Sequence, residues 1–302
     1  MIQLRSKLRY IYRPFILTAV GFLVIYTFLN WLLFIQLDIL PLRRNLTDIL
    51  FPIVLAWIPL LIWIRPRLKW LVMREKYVWL YLIYGWVAIL IPTALAQPYI
   101  EQITGELTPL DNISRINAVR ETKYYTLRDY YISKHNGVAQ EAFDISGKYG
   151  ENFNMRLYVV FPIWLSATDT AGNSPQAWLG LEYKNTVNRH LSDAEKDAQF
   201  RQFQAKTVAD VDSKNLNQFT FLERPESRTD ASDGFQEAIK QSTRYNPAHT
   251  TVLMPHAEPF GERTGNRLMW VFLSFLIGAG VWFVILLVPN FSKPNNIDQD
   301  SF

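Results

Sequence analysis

The sequence predicts a multi-pass α-helical membrane protein with four transmembrane helices, three N-terminal and one C-terminal. Between the third and fourth it predicts an inserted α+β extracytoplasmic domain, mainly antiparallel sheet plus one or two helices. Three observations predict it. Four stretches of the 302-residue chain are almost free of charge, Lys and Arg gather beside those stretches, and residues 98–264 read as a water-facing domain. The expected division is 1–97 for three helices (about 15–35, 46–64 and 78–96), 98–264 for the extracytoplasmic domain, and 265–302 for the fourth helix (about 268–288) with a short cytoplasmic tail.

The charge-free stretches are 15–35, 50–64, 78–96 and 268–288, of 21, 15, 19 and 21 residues. A helix needs ~20 apolar residues to cross the hydrocarbon core, and ~17 at the least. The second stretch reaches 19 residues only when it starts at Leu46. It also carries Pro52 and Pro59, which a membrane helix tolerates where neighbours satisfy the freed backbone groups. None of the four contains Asp, Glu, Lys, Arg or His, whereas transporters and channels usually place ionisable groups there. Asn30 and Ser274 are their notable polar residues and suit helix–helix hydrogen bonds; Gly278, Ala279 and Gly280 thin the fourth helix for close packing.

The net charge of +4 is unevenly placed. Residues 98–264 hold 18 Lys and Arg against 22 Asp and Glu, leaving 13 against 5 for the rest of the chain. The basic excess therefore flanks the membrane segments, where it acts as an orientation signal, and nucleic-acid binding gains no support. Arg5, Lys7, Arg9 and Arg13 precede the first span, and Arg65, Arg67, Lys69, Arg74 and Lys76 fill the loop after the second. Arg43 and Arg44 in the first loop are offset by Asp38 and Asp48. The expected topology is a cell (inner) membrane protein with both termini cytoplasmic and the large domain extracytoplasmic. The first span is long for a signal peptide, so it reads as an uncleaved anchor; "ALA" at 94–96 reads as a helix end. There is no cysteine, hence no disulfide and no thiolate chemistry.

In the extracytoplasmic domain, the Tyr-rich "KYYTLRDYYIS" (123–133), the alternating "EAFDISGK" (141–148), the continuous "NMRLYVVFPIWLS" (154–166) and "AWLGLEYKNTV" (177–187) read as strands. Pro162 should mark a bulge or strand end, and "DTAGNSP" holds turn residues. Ser192 and Glu195 form a capping box for a helix whose apolar face is Phe200, Phe203, Val208 and Val211. "NQFTFLERP" (217–225) reads as a strand, "DGFQEAIKQS" (233–242) as a short helix and "TTVLMP" (250–255) as a last strand.

Motifs that carry chemistry are missing. HExxH, Walker A, GxGxxG, Gly-x-Ser-x-Gly and Ser-x-x-Lys do not occur, and "GNS" (172–174) sits in a turn. His249 and His256, with Glu258 nearby, lack the close paired spacing and third ligand of a zinc site and read as surface imidazoles, as do His135 and His190. The tyrosines at 124, 125, 130 and 131 offer amphipathic rings for a ligand or peptide, or for core and interface packing. No catalytic, cofactor-binding or metal-ligating residue is assigned, and no cofactor is expected.

Five stretches carry a resemblance: "YRPFILTAVGFLVIYTFLNWLLF" (12–34), "LTPLDNISRINAVRETKYYTLRDYYI" (107–132), "FDISGKYGENFNMRLYVVFPI" (143–163), "AWLGLEYKNTVNRHLSDAEKDAQF" (177–200) and "EPFGERTGNRLMWVFLSFLIGAGVWF" (258–283). With the order of three spans, a Tyr-rich domain and a fourth span, they resemble the N-terminal, non-catalytic region that precedes the protease domain in certain bacterial rhomboid-family membrane proteins. A rhomboid protease uses a Gly-x-Ser nucleophile and a histidine on separate membrane helices of a six-helix core, with His-x-x-x-Asn at the oxyanion. Here no span holds Gly-x-Ser or His, and Ala139, Ala194, Leu253 and Phe260 follow the four histidines at the Asn position. After Val288 only 14 residues follow, too few for another span. The resemblance thus implies the non-catalytic region alone, as a separate protein or half of a split one.

The leading expectation is a non-enzymatic integral membrane protein whose extracytoplasmic domain recognises a partner or substrate. Its expected partners are the lipid bilayer and a membrane or extracytoplasmic protein. An enzyme using His135, Asp144 or Glu151 in the outer domain is one alternative. A sensor or structural component of a larger complex is the other, opposed by the lack of a cytoplasmic signalling domain.

Overall fold

The computed structural model describes residues 2–37, 39, 42–170, 174–242 and 251–292. They form two compact units, residues 1–104 with 264–302, and residues 105–263. In chain order the elements begin with α1 (Gln3–Gln36), α2 (Leu46–Leu68) and α3 (Glu75–Thr104). The second unit contributes β1 (Leu107–Asn112), β2 (Tyr124–Asp129), β3 (Tyr131–Ile132), β4 (Val138–Ser146), β5 (Asn152–Trp164) and β6 (Ala177–Asn188). It continues with α4 (Asp193–Ser213), β7 (Phe221–Glu223), α5 (Asp230–Lys240) and β8 (Val252–His256), before α6 (Arg267–Leu287) returns to the first unit.

All four helices of the first unit are long and apolar enough to cross a membrane. They outrun the charge-free stretches, so charged groups occupy their end turns, Lys7 in α1 and Glu101 in α3. The core joins Ile11, Phe15, Leu60, Leu82, Ile89 and Trp282. Trp282 stacks on Phe15 with ring centroids 3.9 Å apart and donates its indole N–H to the Tyr81 carbonyl at 3.1 Å. A helix leaves its last four carbonyls without intrahelical donors. In α6, Lys7 Nζ bonds the Leu287 carbonyl at 3.0 Å and the Tyr81 hydroxyl bonds that of Ile285 at 2.9 Å. In α2 the helix widens into π turns at Leu46–Leu50 and Leu60–Ile64, around Pro52 and Pro59. The Trp86 indole of α3 donates to the Ile53 carbonyl between those prolines at 2.8 Å, the help from a neighbour that an interrupted apolar helix requires.

Small residues set the α3–α6 packing. A Cβ on Gly278 would lie 2.9 Å from the Ala88 Cβ, and Ala279 is buried, but Gly280 meets nothing within 4 Å. The expectation for this trio therefore holds at 278 and 279 and fails at 280, which lies on the exposed side of the helix. Ser274 also departs from expectation. Its hydroxyl bonds the Val271 carbonyl of its own helix rather than a neighbour.

The second unit is an eight-stranded sheet ordered β1-β2-β7-β8-β6-β5-β3, with β4 also paired to β5. It is mixed. β1–β2 and β6–β8 run parallel, and the other five pairings are antiparallel. β1 has no counterpart among the strands read from the sequence; it carries Pro109, and proline is tolerated in strands mainly at edges. Pro162, by contrast, neither ends nor bulges β5, which pairs with β6 through Ile163. On its other side β5 pairs with β4 up to Val160 and with β3 from Ile163, so Pro162 falls in the gap between the two partners.

Both faces of the sheet are covered. Tyr158, Val160, Trp164 and Trp178 pack under α5 around Phe235 and Ile239. Val159, Phe161, Leu179 and Tyr125 form the opposite core with Ile113 and Ile116 of a short 3-10 turn, and Phe203 of α4 packs on Met155 and Leu157. The Ser192–Glu195 capping box is present. The apolar stripe of α4 runs through Phe200, Phe203, Thr207 and Val211, whereas Val208 is exposed. At ~100° per residue, 208 lies off the stripe that the buried Thr207 fills.

Candidate functional site

The first cluster of functional side chains lies inside the helical unit. Asn30 of α1 is buried and donates through Nδ2 to Gln97 Oε1 of α3 at 2.9 Å and to Asp48 Oδ1 of α2 at 3.2 Å. Gln97 in turn donates to Thr27 Oγ1 at 3.1 Å and to the Thr93 carbonyl at 2.7 Å. Tyr26 hydrogen-bonds the Thr47 carbonyl, and Arg44 forms an ion pair with Glu101. Asn30 thus makes a bond between helices, as its residue type suggested, while Gln97 and Glu101 lie beyond the charge-free stretch and escaped sequence reading. The chemistry is cross-linking of three helices by amide and hydroxyl groups, with the Asp48 carboxylate as an acceptor and the Arg44–Glu101 ion pair beside it. Beside it, α1, α3 and α6 enclose an apolar groove of 420 Å³ lined by Leu23, Thr27, Trp31, Tyr99, Ile100 and Val271.

The second cluster surrounds His256 at the end of β8. Pairing with β7 sets His256 opposite Phe221, and the rings stack at 4.7 Å. Glu223, two residues along β7 on the same face, forms an ion pair with His256 Nε2 at 2.9 Å, and Glu258 reaches Nδ1 at 2.8 Å. Lys123 lies 3.5 Å from Glu223 and 3.6 Å from Glu226. Burial works against the charged imidazole, but hydrogen bonding and charge from Glu223 and then Glu258 outweigh it, raising its pKa. With both ring nitrogens held by carboxylates, this histidine is an ion-pair centre; a general base needs a free nitrogen lone pair. The expectation of a surface imidazole is corrected here: Glu258 was visible in the sequence, but Glu223 arrives through strand pairing.

A third set lies on the β4–β5 hairpin. Arg156 pairs with Asp144 and Asp230, each at 3.1 Å, and its pKa is raised first by the Tyr158 hydroxyl, with burial opposing and Asp230 adding to the rise. Glu151 is held within its turn, accepting from the Tyr149 N–H at 2.8 Å, and backbone donors keep its carboxyl below the usual range. His135 stands exposed on the 3-10 turn Lys134–Asn136. Among the described residues no hydrogen bond or ion pair joins any two of His135, Asp144 and Glu151. His190 is exposed, and His249 lies outside the described residues, as does most of the "GNS" turn. No group of three or more His, Cys, Asp and Glu among the described residues is arranged to hold a metal.

The four tyrosines separate. Tyr124 and Tyr125 are buried in the sheet, Tyr130 donates to the Asn217 carbonyl at 3.0 Å, and Tyr131 is partly exposed. The larger exposed apolar group is instead Phe143, Ile145 and Tyr149, at 49%, 52% and 80% exposure on and beside β4. No protein-family model, curated protein or solved structure matches the chain.

Proposed function

We propose that the chain is a non-catalytic integral membrane protein whose sheet unit recognises a partner or substrate protein outside the cytoplasm, while the four helices hold it at the bilayer. In this reading both termini are cytoplasmic, and the family is the one the sequence resembles, the region preceding the protease domain in some rhomboid-family proteins. One contact supports the orientation. Tyr10 contacts Trp70 with ring centroids 5.6 Å apart, so the basic N-terminal turn and the basic loop after α2 share one end of the bundle. Basic ends face the cytoplasm.

One contrast carries the recognition role. Asn30, Arg156 and His256 are engaged with neighbours inside their own units, whereas Phe143, Ile145 and Tyr149 stand half exposed or more on one hairpin. Exposed apolar groups that cluster mark interaction surfaces. Purification in mild detergent at several expression levels tests the proposal. A stoichiometric partner that is lost on Phe143→Ser with Ile145→Ser is expected. Recovery only as an isolated monomer at every level would overturn it.

A further inference from the structure

The two edges of the eight-stranded sheet are built differently. β1 closes one edge with six residues, contains Pro109 and runs directly into the 3-10 turn Ile113–Asn117. Short length and proline are devices by which natural sheets blunt an edge, because proline offers no N–H to a newcomer. β4, at the other edge, uses neither. It has nine residues without proline or lysine, and its register with β5 is unbroken from Val138↔Val160 to Ser146↔Asn152. Among the described residues β5 is its only strand partner. One edge carbonyl, that of Glu141, is taken by the Gln140 side-chain amide at 2.7 Å.

The side chains along this edge have a definite character. On the face bearing Ala139 and Glu141, Phe143 and Ile145 are half exposed, with Phe143 stacked on Phe153 at 5.6 Å and edge-on to Phe200 at 5.0 Å. On the opposite face lie Gln140 and Asp144. The strand carries two carboxylates and no basic residue. Those carboxylates are engaged, Asp144 with Arg156 of β5 at 3.1 Å and Glu141 with the Gln204 amide at 2.6 Å. Arg156 is shared with Asp230, however, so the Asp144 face keeps an excess negative charge that disfavours pairing two copies edge to edge. A strand with basic side chains on the Asp144 face and apolar ones beside Phe143 and Ile145 suits the same edge.

We propose that β4 is a docking edge that takes up an extended segment of a partner protein, alternately apolar and basic, as an added strand. This rests on the sheet unit being a recognition domain and specifies its surface and ligand chemistry. Strand addition draws affinity from main-chain hydrogen bonds and specificity from alternate side chains.

Two synthetic nonapeptides, alternating Val with Lys and Val with Glu, test this against the full chain in detergent. The Val–Lys peptide should bind at least about tenfold more tightly than Val–Glu and slow amide exchange across 138–146. Alternate amides of an added strand face its host, so N-methylation of one set, valine or lysine, should weaken binding roughly tenfold or more while the other set is tolerated. Ile145→Ser should weaken it about threefold or more. Equal binding of both peptides, tolerance of both methylation patterns, protection confined to other strands, or no binding by either peptide each overturns the proposal. A photo-crosslinker at 145, 149 and 208 in cells then separates the two claims. An adduct at 208 alone leaves recognition standing on another surface, and no adduct at any of the three removes that reading too.

Discussion

Gly278 faces Ala88 so closely that a methyl group placed on the glycine would lie 2.9 Å from the alanine Cβ, while Gly280, two residues on, has nothing within 4 Å. Gly278→Leu should therefore lower the stability of the helical unit by about 1–3 kcal/mol through overpacking, and Gly280→Leu should be close to neutral. Thermal unfolding of the two variants in one detergent distinguishes them. Equal effects would show that the α3–α6 contact is not set at Gly278.

The Asn30–Gln97 bond yields a second expectation. Gln97→Leu removes an acceptor and two donor bonds from a buried network, and should cost about 1–2 kcal/mol. Asn30→Leu should cost a similar amount, and the double variant less than the sum, because both substitutions remove one bond. Additive losses in the unfolding midpoints would mean that the two amides act independently.

Gly234 gives a test in which helix propensity and packing disagree. Alanine favours a helix interior over glycine by ~1 kcal/mol. A Cβ at 234 would lie 2.3 Å from the Tyr158 ring, which is buried beneath α5. Gly234→Ala should therefore destabilise the sheet unit, by roughly 2 kcal/mol. A stabilised variant in denaturant unfolding would show that α5 can lift off the sheet freely.

His256 predicts a pH dependence. Its pKa is raised above the ordinary 6.5, so its stabilising contribution is fully present below pH 6.5 and is lost as pH rises through the raised value. Burial pushes the Glu258 carboxyl up, but its own backbone N–H and then His256 prevail, so its pKa lies below the ordinary 4.5. That contribution is present above pH 4.5 and is lost as pH falls through the lowered value. Protection of the amides across 252–256, corrected for the pH dependence of intrinsic exchange, should be greatest between these limits and fall on either side. His256→Gln should remove the alkaline arm and shrink the acid arm, since His256 helps to lower the Glu258 pKa, and an unchanged alkaline arm would assign it to another group.

Much of the architecture could be read locally. Long charge-free runs announce helices because an apolar helix is a contiguous segment, and the capping box at Ser192 is complete within four residues. What escaped depends on the closed fold. Glu223 meets His256 only because β7 pairs with β8, and nothing in the spacing of those residues marks the contact. Tyr124 and Tyr125 point to opposite faces, yet both are buried because the sheet is covered on each side. Val208 looked like a core residue by type, but the stripe passes through Thr207 instead. The apolar residues left exposed, Phe143 and Ile145, read as half of an ordinary alternating strand until β4 proved to be an edge.

The bond from Lys7 to the Leu287 carbonyl spans 280 positions, and the slot of Trp282 is made by Phe15 and Tyr81, far earlier in the chain. On the ribosome, therefore, the contacts of Trp282 with the first and third helices form only after the entire sheet unit has been translated. The core of the bundle is complete only once Trp282 has joined Phe15 and Tyr81.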